Sequence, residues 1–332
     1  MFNRYLIVIL RFHGDVLLTK PMIDNIMQND PKGKVDLLVY KGTGSVLGKE
    51  KSISEIIEIE SGSEKNIFSR IIKEINLWRK IRLKKYDYCF FLTTQWRVVP
   101  ISWAIGDAKK AAVDDKKRRR KLWTLSFSAI FPEASENHIV KRNLSALETL
   151  GLKVFSDDLI LDSPDLDNEY KSLLNDYSFF SETESYCVLH PTSRREKKLW
   201  QREKFAHLIN FLLKKDLAVV VTSGPDTKEI AYVNDILNKA NINNEKVLNL
   251  SGKTSLTSLA ALIRGSLFFI GLDSVASHIA ASVNRDSITL FGPSNPVNWK
   301  PWSNKARIIS KENLKDIEVE DVTSLIEELL VQ

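Results

Sequence analysis

The sequence predicts an α/β chain of two Rossmann-like halves, and three observations carry that expectation. Apolar runs of strand length alternate with amphipathic stretches of helical length, the runs are apolar at nearly every position, and the alternation starts twice. Continuous apolar strands with helices between them are what a parallel sheet covered on both faces requires. At about 150 residues per domain, 332 residues supply two cores rather than one.

The first half opens with YLIVIL (5–10), VDLLVY (35–40), EIIEI (55–59) and DYCFFL (87–92), with a helical pattern over 68–80. YCVLHP (186–191), LAVVVTSG (217–224), LFFIGLD (267–273) and SITLFG (287–292) form the second series, and helical patterns at 200–215, 228–239, 255–263 and 274–281 separate them. An acidic, polar stretch that includes Asp157, Asp158, Asp162, Asp165 and Asp167 shows no strand and reads as a connection. The expected organisation is an N-terminal domain over 1–155, a linker over 156–182 and a C-terminal domain over 183–312. Over 313–332 the apolar stripe Val322, Leu325, Ile326, Leu329 and Leu330 predicts a terminal helix, expected to pack back on the N-terminal domain.

Composition narrows the class. Apolar residues at 43% and charged residues at 27% are those of a globular protein, which excludes a disordered tail, a fibre or a membrane-embedded bundle. The apolar run at the N-terminus is too short for a signal-peptide core, so a cytoplasmic protein is expected. Cys89 and Cys187 sit in strand-like runs and read as reduced core thiols. The net charge of +6 points to an anionic partner, whether nucleic acid, a phospholipid surface or a phosphorylated substrate.

Several motifs look like sites and fail on spacing. The loop with Gly42, Gly44 and Gly48 follows the second strand rather than the first and lacks the dinucleotide spacing. LSGKTS lacks the first glycine of a phosphate loop, because Val247 stands there. Asp165-Leu166-Asp167 imitates a metal-binding acidic pair but lies in the expected linker, where a turn-rich solvated segment is the simpler reading. The five histidines show no metal spacing, and no metal or cofactor is expected. The basic run Lys116, Lys117, Arg118, Arg119, Arg120 and Lys121 suits a phosphorylated or membrane-held anion; nucleic acid lacks an accompanying recognition module.

Three strand-end loops agree with one another. In RFHGDVLLTKP, His13 and Gly14 are expected to form a tight turn, and Asp15 either caps the following helix or serves as a general base. HPTSRREKKLW places Thr192, Ser193, Lys197 and Lys198 around a helix start, a combination that suits a diphosphate. FFIGLDSVASHIAA ends a strand at Gly271, offers Asp273 and Ser274 as an N-cap and carries His278 on the helix. A fourth loop, TSGPD, brings Gly224 and Asp226, whose carboxylate suits ribose hydroxyls.

Together, RFHGDVLLT, PTSRREKKLW, TSGPD, FIGLDSVASHIAA and LFGPSNPVNWKPW, spread in order over nearly the whole chain, resemble the glycosyltransferase family 9 heptosyltransferases, most of all the lipopolysaccharide heptosyltransferase III branch. The resemblance implies a GT-B fold, two Rossmann-like domains whose parallel sheets face a central crevice. It implies inverting, metal-independent transfer from ADP-L-glycero-β-D-manno-heptose to a heptose of the lipopolysaccharide core, at the cytoplasmic face of the inner membrane and in peripheral contact with that anionic surface. Carried over by position, Asp15 would be the base and Lys198, or its neighbour Lys197, the phosphate ligand. Gly14, Thr192, Ser193, Gly224, Asp226, Asp273, Ser274, Val275 and His278 would line the donor site. His13, Arg97, Arg118, Arg119, Arg120 and Lys121 are the acceptor-side candidates. The alternatives are another nucleotide sugar in the same family, a nicotinamide oxidoreductase using the 42–48 loop, and a non-catalytic binder of anionic lipid.

Overall fold

In the computed structural model the described residues are 2–62, 67–114, 121–133, 137–162, 164–183, 185–242 and 245–331. The chain divides into two compact units, Met1–Asp158 and Leu159–Gln332. In the first, β1 (Arg4–Ile9), β2 (Lys34–Tyr40), β3 (Ile53–Ile59), β4 (Tyr88–Phe91), β5 (Lys109–Asp114) and β6 (Ala129–Pro132) form one sheet in the order β3-β2-β1-β4-β5-β6. In the second, β7 (Tyr186–His190), β8 (Ala218–Ser223), β9 (Val247–Ser251), β10 (Phe269–Leu272), β11 (Ser287–Phe291) and β12 (Ala306–Ser310) take the order β12-β11-β10-β7-β8-β9. Every pairing is parallel. Counted from its own first strand, each sheet runs 3-2-1-4-5-6, so its order reverses between the first and fourth strands.

Burial explains which strands were legible in the sequence. The β7 strand is buried at every position, and β1 at all but Arg4. Four strands carried no such signal: β6, β9 and β12 are sheet edges with several half-exposed positions, and β5 has only Ala111, Ala112 and Val113 between Lys110 and Asp114. In the first unit Asp36, fully buried on β2, accepts from Tyr86 Oη at 2.8 Å and Lys84 Nζ at 2.8 Å, with Arg4 of β1 3.6 Å away. This cluster fastens the end of the helix Ile67–Lys84 to the sheet. Cys89 and Cys187 are buried and unbridged, and burial pushes the Cys187 thiol up to about 12.

One expectation about the second unit is corrected. The supposed turn-rich linker contains a helix, Pro164–Asp176, with Asp165 and Asp167 in its first turn, where carboxylates favour the positive end of the helix dipole. Asp167 pairs with Arg264, and Glu169 accepts from Ser258, so the helix is seated on the helix Leu256–Gly265. Gly265 makes the seat possible, because a Cβ there would lie 2.5 Å from the Tyr170 ring. The terminal helix, Val319–Val331, packs on the core of the second unit: Val322 and Ile326 are buried beside Leu208 and Leu212 of the helix Arg202–Lys214. Upstream of it, the Ile317 carbonyl accepts from Trp200 Nε1 at 3.0 Å and Lys204 Nζ at 2.7 Å.

Ile326→Ala is therefore expected to lower the stability of the second unit by about 2–5 kcal/mol through a core cavity. Urea unfolding read at Trp200 checks it, and an unchanged midpoint would place the helix elsewhere.

Candidate active site

Ligands of open parallel sheets sit at the carboxyl ends of the strands, where the order reverses. In the first unit that point is the end of β1 and β4. The chain leaves β1 through Arg11 into a short helix, His13–Leu17, so His13 and Gly14 are its first residues and not the tight turn expected. Asp15 is not the N-cap either: that position is Phe12, and Asp15 Oδ2 accepts from the Phe12 N–H over a long 3.4 Å. Its other oxygen, Oδ1, is held by Arg11 Nε at 2.5 Å, and the carboxylate is only 12% exposed. Arg11 was missed in the sequence, although its i,i+4 spacing to Asp15 is the signal for such a pair. From the end of β4, Gln95 Nε2 donates to the Leu10 carbonyl at 2.8 Å and Gln95 Oε1 accepts from Tyr40 at 2.5 Å, which ties the two strand ends together.

Of the other acceptor-side candidates, Arg97 and Lys121 lie among the described residues. Arg97, at the start of the helix Val98–Ile105, is engaged by Glu74 and donates to the Glu60 carbonyl at 2.5 Å. Lys121 opens the helix Lys121–Leu125 and is exposed. Arg118, Arg119 and Arg120, with Lys116 and Lys117, lie outside the described residues.

In the second unit the reversal lies between β7 and β10. From the end of β7 the chain passes Thr192 and Ser193 into a single turn, Glu196–Lys198, before the helix Arg202–Lys214. This turn exposes Lys197 and directs Lys198 inward, where its Nζ meets Asp273 Oδ2 at 2.5 Å with the two side chains 17% and 9% exposed. Ser193 Oγ lies 3.5 Å from the Asp273 carbonyl. Asp273 is thus spent on Lys198 and caps nothing. Ser274 holds the N-cap position of the helix Val275–Ser282, yet its hydroxyl makes no cap bond and is buried without a hydrogen-bond partner. The positive end of that helix, a serine hydroxyl and an ammonium group therefore lie at one strand end, a combination that favours a doubly bonded anion. His278 points into the unit and is buried.

A chain of polar contacts supports this loop from below. His190, buried at the end of β7, places Nδ1 2.9 Å from Thr222 Oγ1 and Nε2 3.4 Å from Thr192 Oγ1. Thr192 in turn donates to Glu229 Oε2 at 2.6 Å, which also accepts from the Gly224 N–H at 3.0 Å. Thr192 thereby orients a carboxylate and is itself fully buried. Gly224 has a steric reason, since a Cβ would lie 2.9 Å from that same oxygen. Asp226 serves as the N-cap of the helix Thr227–Ala240, accepting from the Lys228 N–H at 2.8 Å, and is exposed. The inward carboxylate here is Glu229, which the sequence reading missed. Its signal was the Asp-x-x-Glu spacing of a capping box, but the side chain turns to Gly224 instead of Asp226. Among the described residues no cluster of three His, Cys, Asp or Glu is placed to hold a metal ion.

Comparisons with known proteins bear on the family and the fold. The family model described as glycosyltransferase family 9 (heptosyltransferase) matches residues 75–327. Among curated proteins, lipopolysaccharide heptosyltransferase 3 of Escherichia coli K12 is 33% identical over 294 residues, covering 89% of this chain and 84% of its own. Among solved structures, a glycosyl transferase family 9 protein of Veillonella parvula superposes with a TM-score of 0.82 at 20% identity, over 99% of this chain and 97% of that one. The E. coli heptosyltransferase WaaC with ADP gives a TM-score of 0.79 at 20% identity, over 98% and 99%. The fold is thus the GT-B fold of these enzymes.

Burial lowers the His190 pKa from 6.5 to about 4, so the folded chain holds it neutral where the unfolded chain protonates it. The unfolded state then binds more protons between these values, and stability, full above pH 6.5, falls as pH drops towards 4, on the order of 3 kcal/mol for this group. Urea midpoints at pH 7 and pH 5 check this, with His190→Asn expected to flatten the difference.

Proposed function

The chain belongs to glycosyltransferase family 9, the heptosyltransferases, and from that premise we propose that it moves L-glycero-D-manno-heptose from ADP-L-glycero-β-D-manno-heptose to a heptose of the lipopolysaccharide core, with inversion and without a metal ion. The observation that carries the reading is Lys198 seated with Asp273 beside the uncapped start of the helix Val275–Ser282. Support for the donor comes from the neighbours: one is a structure of E. coli WaaC with ADP, another of WaaC with ADP-2-deoxy-2-fluoro heptose. Support for the acceptor comes from the name of the E. coli relative.

In the proposed reaction the strand-end site of the first unit acts on the acceptor and that of the second unit on the donor. The acceptor hydroxyl oxygen attacks the anomeric carbon of the donor from the face opposite the diphosphate. As that C–O bond forms, the bond from the anomeric carbon to the diphosphate oxygen breaks, and ADP leaves with the electron pair. The hydroxyl proton passes to Asp15. Because Arg11 occupies Oδ1 while Oδ2 accepts a long bond from the Phe12 N–H, Oδ2 is the oxygen that takes it. General-base assistance of this kind contributes about 10²–10⁴ in rate. Charge growing on the leaving diphosphate is met by Lys198, the Ser274 hydroxyl and the helix N-terminus, the work a divalent cation does in other transferases. Glu229, oriented by Thr192 and the Gly224 N–H, offers a carboxylate at the neighbouring end of β8, where the ribose hydroxyls of ADP are proposed to lie.

Asp15→Asn is expected to lower turnover at least 10²-fold while donor affinity by titration calorimetry stays within a few-fold; near-normal turnover removes Asp15 as the base. Lys198→Ala is expected to weaken ADP binding and turnover together, with circular dichroism confirming the fold, because it also strands the nearly buried Asp273. Activity is expected to persist in EDTA. Loss in EDTA with recovery on adding Mg²⁺ overturns the metal-free account.

A further inference from the structure

We propose that Arg142 is a positioning residue for the strand-end site of the first unit: a buried guanidinium that ties the helix carrying Asp15 to the end of β4 and holds a fixed positive charge near it. This role deepens the transfer reading and rests on Asp15 taking the proton there.

Arg142 lies on the helix Ile139–Thr149, which packs on β5, β6 and the helix Lys20–Asn29. The buried surface of this helix is otherwise apolar, at Ile139, Val140, Leu144, Ala146 and Leu147, and an aliphatic residue at 142 would continue it. Instead it carries Arg142 and Asn143, only 6% and 1% exposed. A guanidinium in such a place is unfavourable, because it leaves water and its bonds go to neutral groups. Arg142 Nη2 donates to the Leu92 carbonyl at 3.3 Å and to Asn143 Oδ1 at 2.9 Å. Its Nε is buried and meets no hydrogen-bond partner among the described residues. Packing alone has no use for a partly satisfied ion in a core, so its reason lies in what it touches.

Both acceptors lead to the strand-end site. Leu92 is the first residue beyond β4, and its N–H donates to the Val8 carbonyl of β1 at 2.9 Å. Asn143, whose Oδ1 takes the Arg142 bond, turns its Nδ2 to the Leu18 carbonyl at 3.2 Å. Leu18 closes the helix His13–Leu17, and its own N–H donates to the Gly14 carbonyl at 3.0 Å. A continuous path from Leu92 through Arg142 and Asn143 to Leu18 thus joins the end of β4 to the helix that carries Asp15. Gln95 fixes the chain on the way into that helix, at the Leu10 carbonyl, and Arg142 with Asn143 fix it on the way out.

Charge gives the path a second use. Burial above all, and then the Arg11 charge, push the Arg142 pKa down from 12.5 to about 10, against the opposing pull of Asp15 and Glu133. The guanidinium is therefore still charged at neutral pH, and it acts on the Arg11–Asp15 pair. Charges out of water are weakly screened, so the interaction persists in salt. In the proposed reaction a hydroxyl gives its proton to the Asp15 carboxylate, and negative charge passes from that carboxylate to the attacking oxygen. A fixed cation near both favours the charge wherever it stands along the way.

The test reads turnover and stability together in the full chain. Arg142→Met keeps an apolar filling and removes the charge. Its kcat is expected to fall roughly 10–10²-fold, with donor KM and ADP affinity by titration calorimetry within about twofold. Its thermal unfolding midpoint is expected to be unchanged or raised, since no charged partner is left stranded. Arg142→Lys keeps the charge without the planar fork and is expected to recover part of the lost kcat. In the Asp15→Asn background, Arg142→Met is expected to lower turnover no further, because it acts through that carboxylate. Normal kcat in Arg142→Met, in an enzyme that Asp15→Asn disables, overturns the role of Arg142 and leaves the base in place; near-normal turnover in Asp15→Asn removes the base and this role with it. A lowered midpoint in Arg142→Met, or an Arg142→Lys variant no more active than Arg142→Met, makes the guanidinium a structural peg and likewise overturns the proposal.

Discussion

The handedness of the crossovers in a parallel sheet is the constraint on which the candidate site depends. A right-handed connection from the first strand to the second sends its helix to one face, and the connection that reaches the fourth strand comes from the other. Where the two directions part, the loops after the first and fourth strands have no helix packed over them. The chain uses this opening once in each unit, at β1 and β4 and again at β7 and β10. Asp15 and Gln95 occupy the first; Thr192, Ser193, Lys198, Asp273 and Ser274 occupy the second. Strand order, set by apolar periodicity and chain handedness, places these residues before any contact between them is made.

Within that frame, polar groups are arranged by what burial forbids. Asp273 is nearly inaccessible and takes Lys198; Glu229 takes a hydroxyl and an N–H; His190 stays neutral because burial penalises its charged form. Each is satisfied by a neighbour from a different strand end, so the loops are held to one another as well as to the sheet. Ser274 differs, with a buried hydroxyl that no side chain or backbone group meets among the described residues. An unmet polar atom at the start of a helix is costly unless something arrives to bond it.

Much of this was legible in the sequence, and the gaps have physical reasons. Fully covered strands such as β1 and β7 announce themselves, while β6, β9 and β12, half exposed at the sheet edges, do not. Pro164–Asp176 was hidden because its acids look like loop residues until Arg264 is known to stand opposite. At the site, residue types at strand ends were readable, but their partners were not: Arg11 on Asp15 and Asp273 on Lys198 are facts of side-chain direction. The choice between Lys197 and Lys198 illustrates this, since adjacent lysines are equivalent on paper and one turn of backbone separates them into an exposed and an inward residue.

The docking of Val319–Val331 has a bearing on the order in which the molecule is made. Trp200, two residues beyond Lys198, donates to the Ile317 carbonyl, accepts from Tyr232 at its own carbonyl, and belongs to the core that Val322 and Ile326 close. During vectorial synthesis the first unit has all its strands and can settle early. The second cannot: the residue that anchors its cationic turn waits for a helix more than a hundred positions downstream in the same unit. A nascent chain lacking that helix carries the lysine without the foundation beneath it, so the second unit is the last part of the molecule to become competent.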